Sequence, residues 1–201
     1  MPKIREFRTT ASTLLTRKLL HAKRQDGRPA VNFMYLRRFT ISFSHDDDER
    51  NIRYLFQNAK FLEELVITVF APGRNLVGLL SPSAHTLRLL FLSVPFYDDS
   101  VSLRLSGLCE ELEAMAGQNK LEALACVFNV TGDETEDFIG SICQEVEKVL
   151  VKPGWSALRL VSFTVRCMNR RKLSEMLQSL PDKYLSHLPK IESVAFMYSV
   201  E

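Results

Sequence analysis

The chain of 201 residues is 46% hydrophobic and 25% charged, which is enough for one sizeable core and does not require a second domain. It contains no apolar run of about 18 residues, and this excludes a membrane-spanning helix. The net charge of +2 is unevenly spread, because residues 1–40 hold ten Lys or Arg against two acidic residues, and the remainder is acidic.

Residues 1–35 form a basic segment ahead of the repeats. Within it, Leu15, Leu19 and Ala22 share one face of a short helix. We predict that this segment is a partly helical cap or is disordered. Two alternatives stay open: an organelle-targeting peptide, which has a similar Arg, Ser and Thr content, and a basic arm that binds nucleic acid or an anionic membrane.

Residues 36–201 repeat an eight-residue frame with apolar residues at positions one, four, six and eight. From position four onward these residues alternate, which is the period of a half-buried strand. The six copies are Leu36, Phe39, Ile41, Phe43; Leu62, Leu65, Ile67, Val69; Leu87, Leu90, Leu92, Val94; Leu121, Leu124, Cys126, Phe128; Leu158, Val161, Phe163, Val165; and Ile191, Val194, Phe196, Tyr198.

Helical patterns separate these strands. Ile52, Leu55, Phe56 and Ala59 lie on one helical face, and similar stripes occupy residues 105–116, 138–150 and 173–180, the last broken by Pro181. The connection over residues 71–86 is the exception, because its pattern allows only a brief helix. Parallel strands require such crossovers. We therefore predict one α/β domain over residues 36–201, a solenoid of six parallel strands in sequential order with helices on its convex side.

Position two of the frame alternates in sign through all six copies. Its residues are Arg37, Glu63, Arg88, Glu122, Arg159 and Glu192. Equivalent positions of neighbouring parallel strands lie side by side, so we predict a structural charge ladder that pairs opposite charges. A fortuitous alternation of exposed residues is the alternative, and the ladder is wrong if Arg88 lies away from Glu63 and Glu122.

Positions five and seven point away from the helices and carry no charge. We call the eight such residues of the four middle strands the uncharged face: Val66, Thr68, Phe91, Ser93, Ala125, Val127, Ser162 and Thr164. An exposed, mildly apolar surface with Phe91 near its middle favours a protein or peptide partner. Short side chains that simply line a tightly curved surface, or a missing terminal segment that covers them, explain the same pattern equally well.

The frame L-x-x-L-x-h-x-h followed by a helix resembles leucine-rich repeats of the long, helix-containing kind, over residues 36–200. The asparagine that usually follows the strand is present only at Asn129. The stretches LRRFTISF and FLEELVITV, and PGW before LRLVSFTV, are most similar to the repeat regions of fungal F-box-associated proteins. In that family an F-box engages a ubiquitin-ligase adaptor and the repeats hold the protein to be modified. The resemblance thus implies substrate recognition, although residues 1–35 are too short for an F-box and the chain is expected to be a repeat-only relative or a truncated product.

No catalytic or metal-binding motif accompanies the repeats, and we expect no metal and no cofactor. Cys109, Cys126, Cys143 and Cys167 lack C-x-x-C spacing, and the four histidines are scattered along the chain. Buried reduced thiols favour a cytoplasmic or nuclear location.

Two classes of function fit this pattern. We predict a monomeric, non-catalytic protein–protein interaction module. The alternative is an α/β enzyme with its site at the carboxyl ends of the strands, where polar residues fall. These residues are His45, Asp46, Asp98, Asp99 and Asp133.

Overall fold

The computed structural model describes residues 4–10, 18, 22–43, 47–69, 76–96, 107–130, 136–167 and 177–201. Among these residues, seven strands form one parallel sheet in chain order. They are β1 Glu6–Thr10, β2 Arg38–Phe43, β3 Glu64–Val69, β4 Leu89–Phe96, β5 Ala123–Val130, β6 Leu160–Cys167 and β7 Ala195–Val200. The predicted α/β class, parallel pairing and sequential order are confirmed, whereas the predicted count of six strands is wrong by one.

The additional strand, β1, lies within the basic segment. It pairs with β2 so that Phe7 is opposite Phe39, and the two rings stack with their centroids 5.8 Å apart. Phe33 packs edge-on against Phe7 at the same separation. A strand at the end of a sheet packs beside only one neighbouring strand, so it needs fewer apolar residues than a middle strand. Ile4 and Phe7 in fact occupy positions one and four of the repeat frame, a weak signal that the sequence prediction missed.

The strand register confirms five of the six predicted frames. Phe39, Leu65, Leu90, Leu124 and Val161, all at position four, are consecutive partners across β2 to β6. The sixth frame is two residues out of register, because Val161 is opposite Phe196 rather than Val194. A shift of two residues keeps every side chain on the same face of the sheet, so the alternation in the sequence does not reveal it.

Four α-helices occur among the described residues: α1 Asp47–Asn58, α2 Leu108–Met115, α3 Glu136–Leu150 and α4 Leu180–Tyr184. Short 3-10 helices span Phe33–Tyr35, Ser81–Ser83 and Leu188–Lys190. A turn at Ser179 separates the helical residues Leu177 and Gln178 from α4, so the predicted helical stripe is interrupted just before Pro181, which lies in the first turn of α4. The helix predicted around Leu15 and Leu19 lies outside the described residues.

The core is a single cluster that joins the inner side of the sheet to the helices. Residues at positions four and six, such as Leu65 and Ile67, are fully buried against helix residues that include Phe56, Leu112 and Ile139. Each fully buried Leu or Ile contributes about 1.5–3 kcal/mol. None of the eight residues of the uncharged face belongs to this cluster. The described helices therefore pack on one side of the sheet and the uncharged face is on the other.

Two buried glutamates hold the irregular connections. The carboxylate of Glu111, in α2, accepts hydrogen bonds from the backbone N–H groups of Leu80 at 2.7 Å and Ser81 at 2.9 Å, and also from that of Gly78. Glu147, in α3, accepts from the N–H groups of His187 and Leu188, both at 2.8 Å. Each carboxylate thus satisfies donors at the start of a 3-10 helix that would otherwise be buried without a partner.

Candidate protein-binding face

The structure brings the eight residues of the uncharged face together. Val66, Phe91, Ala125 and Ser162 are consecutive partners across β3 to β6 and form one row. Thr68, Ser93, Val127 and Thr164 form a second row in the same strands. Because neighbouring strands lie about 4.8 Å apart, the two rows make a compact array on the side of the sheet opposite the core.

Seven of these eight side chains are half-buried, and Val127 is buried at 5% exposed. Two of the hydroxyl groups are held in place. Ser93 Oγ accepts a hydrogen bond from Asn129 Nδ2 at 3.0 Å, and Thr164 Oγ1 accepts one from Ser199 Oγ at 3.1 Å. These two hydroxyl groups are therefore fixed before any partner binds, which lowers their share of the entropic cost of binding.

The apolar part of this side of the sheet is larger than the sequence prediction proposed. Leu89 is 36% exposed and is opposite Ala123, which is opposite Leu160, so position three adds an apolar row beside Phe91. In β7, Met197 is opposite Ser162 and is 58% exposed. At position three, the residues change from charged in β2 and β3 to apolar in β4 to β6. This change is the sequence signal from which the row could have been predicted.

Ion pairs border the apolar area. On the β1 side, Arg8 lies 2.7 Å from Glu6, and Arg38 lies 3.0 Å from Glu64. At the carboxyl ends of the last strands, Arg166 pairs with Glu201 at 2.8 Å. An apolar centre with a polar rim is the usual anatomy of a protein–protein interface.

Two side-chain ion pairs lie along the predicted charge ladder. Arg37 is 3.4 Å from Glu63. Arg88 donates two hydrogen bonds to Glu122, at 2.8 and 2.9 Å, and this contact lowers the pKa of Glu122 and raises that of Arg88.

The backbone also joins the first five ladder positions. The N–H groups of Glu63, Arg88, Glu122 and Arg159 each donate to the carbonyl oxygen of the preceding ladder residue. The side chain of Arg159 donates instead to the carbonyl oxygens of Ser156 and Leu158. Glu192 is out of register with Arg159, because β7 is displaced by two residues and places Val194 opposite it.

The cysteine thiols are kept protonated by burial. Burial raises the pKa of Cys126 to about 12 and that of Cys109 to about 11, and it also raises the pKa of Cys143 and of Cys167. A thiol must be deprotonated to act as a nucleophile or a metal ligand. Within the described ranges, no three His, Cys, Asp or Glu side chains are grouped so as to hold a metal ion.

The polar residues that would serve an enzyme at the strand ends lie outside the described residues. These are His45, Asp46, Asp98, Asp99 and Asp133. A cavity of about 230 Å³ is found elsewhere, between the loop before β2 and α1, where Val31, Met34 and Tyr54 contribute to its wall. It includes no residue of the uncharged face.

Among the helices that the structure describes, none is both long enough and apolar enough to cross a membrane. Comparison of the chain with protein-family models, with curated proteins and with solved structures found no match. The resemblance to leucine-rich repeats therefore rests on the residues of the repeat frame.

Proposed function

We propose that this protein is a non-catalytic interaction module that binds a protein or peptide on its uncharged face. We also propose that its strand–helix units form a solenoid of the leucine-rich-repeat kind. The observation that carries the proposal is the two-row array of eight uncharged side chains, which lies on the side of the sheet that the described helices leave open. Contiguous exposed apolar patches with a polar rim mark interaction sites.

The architecture supports this proposal in a second way. Seven parallel strands in chain order present equivalent positions of successive repeats in straight rows. A repeat protein uses such rows as an extended binding surface, since each repeat contributes a few side chains to one partner. The resemblance to F-box-associated proteins extends the proposal to a role, in which the bound partner is a protein to be modified by a ubiquitin ligase.

The test is a comparison of Phe91→Arg with Ser141→Arg in affinity capture from native extract. Phe91 is half-buried in the middle of the array, whereas Ser141 is exposed on the outer side of α3, so each variant adds one charge on a different side of the molecule. A charge in the centre of an apolar interface costs about 2 kcal/mol or more, roughly a 30-fold loss of affinity. We expect Phe91→Arg to lose the captured partner and Ser141→Arg to retain it.

Both variants should unfold at the wild-type temperature, since neither side chain belongs to the core. If Phe91→Arg, while folded, captures the same proteins as the wild type, the uncharged face is not the binding site.

A further inference from the structure

The two ends of the sheet differ in charge. At the first end, β1 and the residue before it expose Arg5, Glu6 and Arg8, and charged side chains on an end strand discourage pairing with another chain. At the other end, residues 193–200 contain no charged residue and no proline. β7 therefore carries neither the charges nor the proline that often protect an end strand.

The core is also incompletely covered at β7. The inward-facing residues of β6, Val161, Phe163 and Val165, are fully buried, whereas Phe196 and Val200 of β7 are only half-buried. Ile191 and Val194, just before β7, are half-buried as well. The terminal layer of a stacked sheet is normally polar or covered, whereas the outermost layer that the structure describes at this end, β7, is apolar and partly exposed.

The backbone direction of β7 can be read from its bonds to β6. The N–H groups of Ala195 and Glu201 donate to Arg159 and Val165, so the odd-numbered residues direct their backbone groups toward β6. Backbone groups of successive residues in a strand point to opposite edges. Phe196 and Val200 therefore direct their N–H and C=O groups outward, and no other described strand pairs with β7 on that side.

We propose that β7 pairs with β7 of a second copy of this chain, in antiparallel orientation about a twofold axis, in place of the monomer expected from the sequence. A second copy fits because it supplies a strand with the same alternation. The half-buried apolar side chains of both copies meet on the helix side, and no charge within residues 193–200 meets a like charge. The axis runs perpendicular to the sheet, so both helix layers lie on the same side and the two uncharged faces become continuous.

The experiment measures the mass of the purified chain by light scattering and sedimentation, from nanomolar to high micromolar concentration. We expect the wild type to change from one chain to two as its concentration rises. The variant Met197→Lys/Ser199→Lys should remain a single chain. Both side chains are exposed and lie outside the core, so the substitutions spare the fold although they remove the hydrogen bond from Ser199 to Thr164. Antiparallel pairing places positive charges of the two copies opposite each other.

Two further samples make the result specific to this edge. Ser141→Lys/Gln144→Lys adds the same charge on the outer side of α3 and should still form the dimer. A mixture of Met197→Lys/Ser199→Lys with Met197→Glu/Ser199→Glu should restore a complex of two chains that neither variant forms alone. A wild type that stays a single chain at every concentration would overturn the proposal. The exposed edge of β7 would then be available for pairing with a strand of another protein. A dimer that survives both lysine substitutions in β7 would overturn it as well.

Discussion

At the residue scale, the buried carboxylates show how this chain stabilises its irregular connections. Glu111 and Glu147 are 2% and 3% exposed, although each lies on an amphipathic helix where an acidic residue is normally solvated. Each faces backbone N–H donors of another connection rather than water. A hydrogen bond to a charged group is stronger than one between neutral groups, and this offsets part of the cost of burying the charge.

Replacing Glu111 by Gln should therefore destabilise the protein. The amide keeps the size of the side chain but has only one acceptor oxygen. When that oxygen accepts from Leu80 and Ser81, as Oε2 of Glu111 does, the NH₂ group faces the N–H donor of Gly78. We expect the free energy of unfolding, measured with urea, to fall by about 1–3 kcal/mol. Glu113→Gln, on the exposed side of the same helix, is the control and should change it by about 1 kcal/mol or less. Equal effects of the two substitutions would contradict the structural role of Glu111.

The buried thiol of Cys126 predicts how stability depends on pH. The ordinary thiol pKa is 9.0, which applies to the unfolded chain, and burial raises it to about 12 in the folded one. The folded state thus holds a proton that the unfolded state releases, so this contribution is complete below pH 9.0 and is lost as the pH rises toward about 12. We expect the free energy of unfolding to fall over this range, and to fall less in Cys126→Ala. If the free energy of unfolding falls equally with pH in the wild type and in Cys126→Ala, Cys126 does not have this role.

At the element scale, the contact between α3 and α4 depends on one glycine. A Cβ atom at Gly140 would overlap the ring of Tyr184. Tyr184 is also held by its hydroxyl group, which donates a 2.6 Å hydrogen bond to Asp137 and, together with Lys183, lowers the pKa of that carboxyl. The absence of a side chain at residue 140 is what lets α4 approach α3 closely.

Gly140→Ala tests this contact, because alanine is favoured over glycine within a helix by about 1 kcal/mol. If the overlap with Tyr184 outweighs this helix preference, Gly140→Ala should be less stable than the wild type by about 1–2 kcal/mol in urea unfolding. The double variant Gly140→Ala/Tyr184→Ala should not suffer the overlap, so alanine at residue 140 should stabilise the Tyr184→Ala background. A stabilising effect of Gly140→Ala in the wild type would show that the helices have room to separate.

At the scale of the whole molecule, each strand that the structure describes pairs only with the described strands next to it in the chain. The middle strands β4 and β5 are bonded on both sides, whereas β1 is bonded on one side, to β2. In such a stack, stability is a sum of local terms and the ends open before the middle.

Hydrogen exchange of backbone amides measures this difference. We expect β1 to exchange faster than β4 and β5 in the wild type. Phe7→Ala should accelerate exchange in β1 and leave β5 nearly unchanged. Leu90→Ala removes a fully buried side chain between two strands, so it should cost about 2–5 kcal/mol and accelerate exchange throughout the middle of the sheet. If Phe7→Ala accelerates amide exchange in β5 as much as in β1, the sheet opens as one unit and its stability is not a sum of local terms.

Much of the fold was predictable because its pattern is local. Apolar residues at fixed spacings encode both the strands and the helix stripes, and five frames fall into register because equivalent positions pack on one another in a parallel sheet. The positions of the eight residues of the uncharged face follow directly from that register. β1 was missed because Glu6–Thr10 contains a single apolar residue, Phe7, which becomes informative only beside Phe39 and Phe33.

The sequence by itself determined the period of the repeats, the side of each strand that is buried and the absence of charge at positions five and seven on the other side, since these depend only on spacing along the chain. The tertiary structure alone decided which acidic residues are buried, how far β7 is displaced, and how exposed Met197 and Leu89 remain. These properties depend on residues brought together from distant parts of the chain. Alternation with a period of two is unchanged by a two-residue shift, and a glutamate on a helix looks the same in sequence whether it meets water or a neighbouring backbone.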